Sequence, residues 1–280
     1  MVKTICTELL VIGATFTGMG MALSDPDRSL VIESTAAVGS EFIAAFRPGV
    51  PVNRLFSDRR VLQFRDELMR RRAMDEAGRV HLPALAPICC SLLHQKKVRI
   101  RFLTRPMAVE YEQGKWKVTI ISPAGVEVIV ATNVVDTSSI GMMLRLLGKP
   151  NEEGYQPYIN ASLHRSEGLA VVQDLVEDGL IVYEGAIDGE VYINVSLCSE
   201  DDWSKARMRL KETWSARSQA SRKWTIASVA SALDIRQQSG IRTIDDQLYW
   251  LPSSGYDHPL QAYNEGLLLR NTQMDGSERL

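Results

Sequence analysis

The apolar and polar positions between Glu8 and Glu33 form the clearest pattern in the chain. Residues 9–12, Leu-Leu-Val-Ile, have the bulk and length of a buried parallel strand, and the run stops at Gly13. Apolar positions resume at Met19, Met21 and Ala22, which predicts a helix from about Thr17, broken by Asp25-Pro26-Asp27. Residues 30–32 form a second apolar strand, closed by Glu33.

Further along, Val61, Phe64 and Leu68 make an apolar stripe that predicts a helix over 57–77, ended by Gly78. Residues 82–97 predict another helix, with Pro83 in its first turn. Strict alternation marks 98–103 as a strand. Strands at 106–112, 115–122 and 126–130, separated by Gln113-Gly114 and Pro123-Ala124-Gly125, predict a three-stranded meander. A separate short strand at 133–136 should follow, ending at Thr137-Ser138-Ser139. After a polar connector at 149–154, strands are expected at 155–163, 180–184 and 190–197, then a helix at 201–214 capped by Asp201 or Asp202. The chain finishes with a strand at 247–251, a helix capped by Asp257 with Pro259 in its first turn, and a polar tail at 271–280.

Composition narrows the class. The 280 residues are 45% hydrophobic and 24% charged, typical of a globular protein with a sizeable core. A formal net charge of -2 gives no electrostatic case for nucleic acid or an anionic membrane, and no apolar run is long enough to span a bilayer. The start, Met-Val-Lys, runs straight into the first strand, so the expectation is a cytoplasmic protein without a signal peptide. Cys6, Cys89, Cys90 and Cys198 form no C-x-x-C pair, and the four histidines show no metal-ligand spacing, so no metal site is expected.

The strand–turn–helix–strand of 9–33 has the spacing of a dinucleotide site. Gly13 permits the tight turn, and Gly18 lets the helix pack close to the sheet. Glu33 lies roughly 20 residues after the first glycine, where an acid accepts hydrogen bonds from ribose hydroxyls. The helix N-terminus at Phe16 and Thr17 would offer N–H groups to a diphosphate. Thr15 departs from the pattern, because it stands where a middle glycine lets the backbone approach the phosphates. In the loop that follows, Arg47 faces either a phosphate or substrate carboxylate, or solvent.

A meander placed between parallel strands, together with Gly13, Gly18 and Glu33, resembles the FAD-dependent oxidoreductase superfamily with a glutathione-reductase-type FAD-binding fold. The resemblance implies an α/β architecture: a Rossmann-like FAD-binding domain over 1–148 and 240–280, with an inserted three-stranded meander, and a small α+β substrate domain over 149–239. It implies that Ser34 and the backbone at Pro106-Met107 lie beside the adenosine. It also implies that Thr137 and Ser138 face the ribityl-diphosphate, although Ser138 replaces the family's glycine. The helix beginning at Pro259 is then similar to the one whose N-terminus faces the flavin, with Arg47, Tyr256 and His258 as candidates on its reactive face.

The function so implied is oxidation of a small organic substrate at a C–N or C–OH bond by hydride transfer to flavin. A non-catalytic or regulatory subunit of the same fold, with FAD weakly bound or lost, is the alternative suggested by Thr15 and Ser138. An adenine-nucleotide enzyme without flavin is a third. A homo-oligomer or a partner subunit completing the site suits the small substrate part.

Overall fold

The computed structural model describes residues 3–52, 56–149, 151, 154–165 and 172–270. The tail at 271–280 and much of the connector at 149–154 lie outside them. In chain order the elements begin with β1 (Lys3–Ile12), α1 (Phe16–Ser24), β2 (Ser29–Ile32), α2 (Arg59–Arg70) and α3 (Leu82–Gln95). Next come β3 (Arg99–Arg101), β4 (Arg105–Glu112), β5 (Lys115–Ser122), β6 (Gly125–Asp136) and α4 (Met142–Leu146). A second group follows: β7 (Gln156–Arg165), α5 (Val172–Glu177), β8 (Ile181–Glu184), β9 (Val191–Ser196) and α6 (Trp203–Ser215). The last elements are β10 (Trp224–Val229), β11 (Asp234–Arg236), β12 (Arg242–Asp245), β13 (Leu248–Trp250) and α7 (Pro259–Leu269).

The architecture is mixed α/β. Strands β13, β6, β1, β2 and β3 lie side by side and parallel, and β12 closes one edge antiparallel to β13. β4 and β5 extend this sheet through antiparallel pairing of β4 with β5 and of β5 with β6. A second sheet, ordered β10-β7-β9-β8 with β11 also on β7, is antiparallel throughout.

β1 shows why the large sheet is buried on both faces. Its side chains alternate: Leu9 and Val11 enter a core with α1, α2, α3 and α7, while Leu10 and Ile12 pack opposite, against Trp116, Val118 and Ile129. Helices α1 and α7 cross with almost no clearance. A Cβ added to Gly20 would lie 2.2 Å from the Tyr263 carbonyl oxygen, and one on Gly266 would lie 2.1 Å from that of Thr17.

Four expectations need correction. The strands expected at 126–130 and 133–136 are one continuous strand, β6, because β1 pairs beside it from Lys3↔Glu127 to Ile12↔Asp136. The helix expected to reach residue 77 ends at Arg70. Arg72 turns into the left-handed region (φ 55°), Ala73 and Met74 fold inward, and Gly78 belongs to a later turn. The final helix is capped by His258, not Asp257, whose side chain is exposed. Strands β10, β11 and β12 were not expected from the sequence.

The loop at 38–47 ties the two sheets together. The Ala44 carbonyl accepts from Ser231 N (2.9 Å) and Ala232 N (3.1 Å), and Asn160 Nδ2 of β7 donates to the Ala45 carbonyl (2.7 Å).

Candidate functional site

The site lies where the parallel strands β1, β2 and β6 end. Gly13 holds φ 103°, a conformation that favours glycine, and so turns the chain from β1 into α1. A Cβ on Gly18 would lie 2.3 Å from the Gly13 carbonyl oxygen, so α1 starts in direct contact with the turn. Glu33 closes β2 with its side chain folded back. Its Oε2 accepts from Ala14 N (2.8 Å), and its Oε1 accepts from Thr35 N (2.8 Å) and the Ser34 hydroxyl (3.3 Å).

The first N–H groups of α1 are all satisfied by this chain. Thr15 is the N-cap, and its Oγ1 accepts from Gly18 N (3.0 Å). The Thr15 hydroxyl donates to Thr137 Oγ1 (2.7 Å), which donates in turn to the Ile12 carbonyl (2.9 Å). Phe16 N donates to Glu41 Oε1 (2.8 Å), and Thr17 N donates to Ser253 Oγ (3.2 Å). The Ser253 hydroxyl completes the lock by donating to Glu41 Oε1 (2.7 Å).

Glu41 is therefore a carboxyl group seated on a helix N-terminus, the place where such a helix attracts negative charge. It is 7% exposed, and burial pushes its carboxyl up to about 7, against the opposing pull of the Phe16 and Ser253 hydrogen bonds. Its second oxygen, Oε2, is buried without a partner, as are Thr17 Oγ1 and Ser254 Oγ. Asp136, at the end of β6, accepts from Ser138 N (2.9 Å) and Met143 N (2.8 Å), and burial raises its carboxyl to about 6.

Beside this seat is a cleft of about 180 Å³, bordered by Gly13, Thr15, Glu33, Glu41, Pro106 and Ser138, among others. The described residues lining it include two carboxylates, Glu33 and Glu41, and no lysine or arginine. A larger hollow of about 550 Å³ lies away from these strand ends, between α2, α3 and α7.

The expected site residues divide into two groups. Gly13, Thr15, Phe16, Thr17, Gly18, Glu33, Ser34, Thr137 and Ser138 gather at the strand ends. Met107 does not: its side chain is 54% exposed, while its neighbour Pro106 borders the cleft. Pro259 is buried as the first residue of α7.

The three candidates for a reactive face are structural in this arrangement. Arg47 is 2% exposed, stacks 4.6 Å from the Phe42 ring, and donates to the Ser254 carbonyl (2.9 Å) and the Tyr256 carbonyl. It also pairs with Asp234 of β11 (3.5 Å), so it holds the second sheet against the approach to α7. His258 caps α7: Nδ1 accepts from Leu260 N (3.1 Å), and Nε2 donates to the Gly78 carbonyl (2.9 Å). Both ring nitrogens are used, and burial lowers its pKa to about 4. The Tyr256 ring is packed in the core, and burial pushes its phenol up to about 12.

Glu41 and Ser253 were not singled out from sequence. The available signal was an acid between the apolar residues Val38 and Phe42 in a loop of small residues, which is unusual unless its charge has a partner.

The chain matches no protein-family model and no curated protein by sequence. By structure it is similar to p-nitrophenol 4-monooxygenase PnpA from Pseudomonas putida, with a TM-score of 0.64 at 12% identity, over 98% of this chain and 79% of that one. It is similar to L-proline dehydrogenase from P. horikoshii, with a TM-score of 0.63 at 11% identity, over 98% and 95%. It is also similar to aklavinone-11 hydroxylase in a complex with FAD and aklavinone, with a TM-score of 0.58 at 13% identity, over 97% and 63%. The chain spans 63% of the length of the anhydrotetracycline hydroxylase OxyS and 64% of RebC. At these identities the likeness is one of fold alone.

FAD fits one end of this site and not the other. The turn at Gly13, the Glu33 carboxylate with lone pairs to spare, and the border at Pro106 suit an adenosine. The diphosphate end does not fit while Glu41 keeps its place. The α1 donors there are spent, the lining charge is negative, and 180 Å³ falls below the roughly 300–1,000 Å³ of ligand pockets.

Proposed function

We propose that this protein is an FAD-binding oxidoreductase that acts on a small organic molecule, and that its cofactor site rests closed. The observation that carries the reading is the β1–Gly13–α1–β2 unit, with Glu33 folded over the cleft at the end of β2. When bound, FAD would supply the redox chemistry at a C–N or C–OH bond. Residues of this chain would do the holding: Glu33 accepts from the ribose, Gly13 turns the backbone, and Pro106 borders the adenine. Residues 1–148 and 240–280 would form the FAD-binding part with its inserted meander, and 149–239 the substrate part. Arg47, Tyr256 and His258 would position the loops around the site rather than move protons.

The test is the visible absorption spectrum of freshly purified protein before and after denaturation. Flavin bands, or their appearance after added FAD is retained through desalting, support the reading. A colourless protein that retains no added FAD under any condition would sink it.

The filled α1 N-terminus favours a second reading, a non-catalytic or regulatory subunit with FAD weakly bound or lost. Bleaching of bound FAD by a substrate separates the two. A homo-oligomer, or a partner subunit that completes the site, belongs to this proposal as well. Size-exclusion chromatography showing a monomer that turns over alone would remove it.

A further inference from the structure

Three features converge on the start of α1. The helix has nine residues, enough to present a real N-terminal field, and its first N–H groups converge on Glu41, Ser253 and Thr15. Glu41 is more than nine-tenths buried, borders the cleft, and carries an oxygen with no partner. The hydroxyls of Thr17 and Ser254, on the two segments that meet there, are also buried and unpartnered. Buried polar groups are nearly always satisfied, so the unpartnered Glu41 oxygen beside the cleft marks a carboxyl that is not fully settled in its place.

We infer that Glu41 is a built-in competitor for the diphosphate of FAD, holding the α1 N-terminus while the cofactor is absent and yielding it when the cofactor binds. The inference rests on the FAD reading above and adds to it how that site is controlled. Both occupants are anions that accept from Phe16 N and from the Ser253 hydroxyl, so they cannot share the seat. The loop that carries Glu41 is pinned to the second sheet at Ala44, Ala45 and Arg47, so the competitor is held near its seat rather than free to leave. Charges facing it are Glu33 at the end of β2 and the Arg47 guanidinium in its own loop, with the Cys89 thiol on α3 beyond. Burial is what makes the carboxylate a weak holder of its place, since its charged form is disfavoured there.

The experiment is an FAD titration, followed by flavin fluorescence quenching and by the rise in thermal midpoint, on the wild-type chain, Glu41→Gln and Glu41→Ala. Glu41→Gln should bind FAD at least about tenfold more tightly, the scale of one charge-assisted hydrogen bond. Glu41→Ala removes the competing carboxyl altogether and should tighten binding at least as much, which keeps the test alive if one variant folds poorly. Equal affinity in all three proteins overturns the competition and leaves the FAD reading intact. A Thr15→Gly/Glu41→Gln protein that binds when Glu41→Gln does not assigns the obstruction to Thr15, which also overturns it. No binding by any of these proteins removes both the competition and the FAD reading.

Discussion

The N-termini of α1 and α7 are closed in opposite ways. At α7 a neutral His258 caps the helix, uses both ring nitrogens, and is wholly buried. At α1 the closure is shared among Thr15, Glu41 and Ser253, contains a carboxylate, and leaves three polar atoms unpartnered. The α7 cap is complete within the chain. The α1 end is held by a group whose charged form the surroundings penalise. Hollows border both ends, one of about 180 Å³ at α1 and one of about 230 Å³ lined by Gly78 and Leu260 at α7, so the difference lies in the capping group.

The severest test of this contrast is Arg47→Ala. It leaves the Ser254 and Tyr256 carbonyls without their donor and removes one of the two arginines on Asp234, which keeps Arg236, so it should cost about 3–5 kcal/mol, read as a lowered urea midpoint. Gly266→Val comes next. Its side chain would meet the Thr17 carbonyl at van der Waals overlap, and a loss of about 3 kcal/mol is expected because backbone cannot yield.

Titration separates the two ends by sign. The pKa of His258 is about 4 when folded and 6.5 in its ordinary state, so the unfolded chain binds the extra proton between them. Its contribution is present above pH 6.5 and is lost as pH falls toward 4, on the order of 3 kcal/mol. Glu41 runs the other way. Its carboxyl is at about 7 folded against 4.5, so stability present below pH 4.5 is lost as pH rises through 7. His258→Asn should flatten the acid limb of a plot of thermal midpoint against pH. Glu41→Gln should flatten the decline between pH 5 and 8. Identical pH profiles for both variants and wild type would erase the contrast. The smallest effect expected is that of Thr15→Ala, about 1 kcal/mol for a lost N-cap.

What the sequence revealed and what it concealed follow from the range of each interaction. Gly13, Gly18 and Glu33 were legible because each does a local backbone job within one β–α–β unit. Glu41 and Ser253 were not: their hydrogen bonds to Phe16 and Thr17 span 25 and 236 residues, and no spacing rule reaches that far. β6 looked like two strands because Ala131 and Asn133 are poor strand formers, but Thr7 and Leu9 of β1 pair opposite them and carry the strand through. His258 drew attention as a titratable group at a helix start. Only the positions of Gly78 and Leu260 reveal that both of its nitrogens are committed.

The zero-clearance crossing of Gly20 and Gly266 has a consequence for synthesis. α1 leaves the ribosome long before α7 is made. Until Gly266 has emerged, α1 lacks the partner that covers its glycine face, and the apolar side of β1 beside it stays uncovered. The nascent chain must therefore carry an unfinished layer at α1 until α7 has been made. Pairing between such distant segments also predicts slow folding for a protein of this size. Chaperone dependence during expression, relieved by supplying α7 early through circular permutation, would be the cellular signature of that one contact.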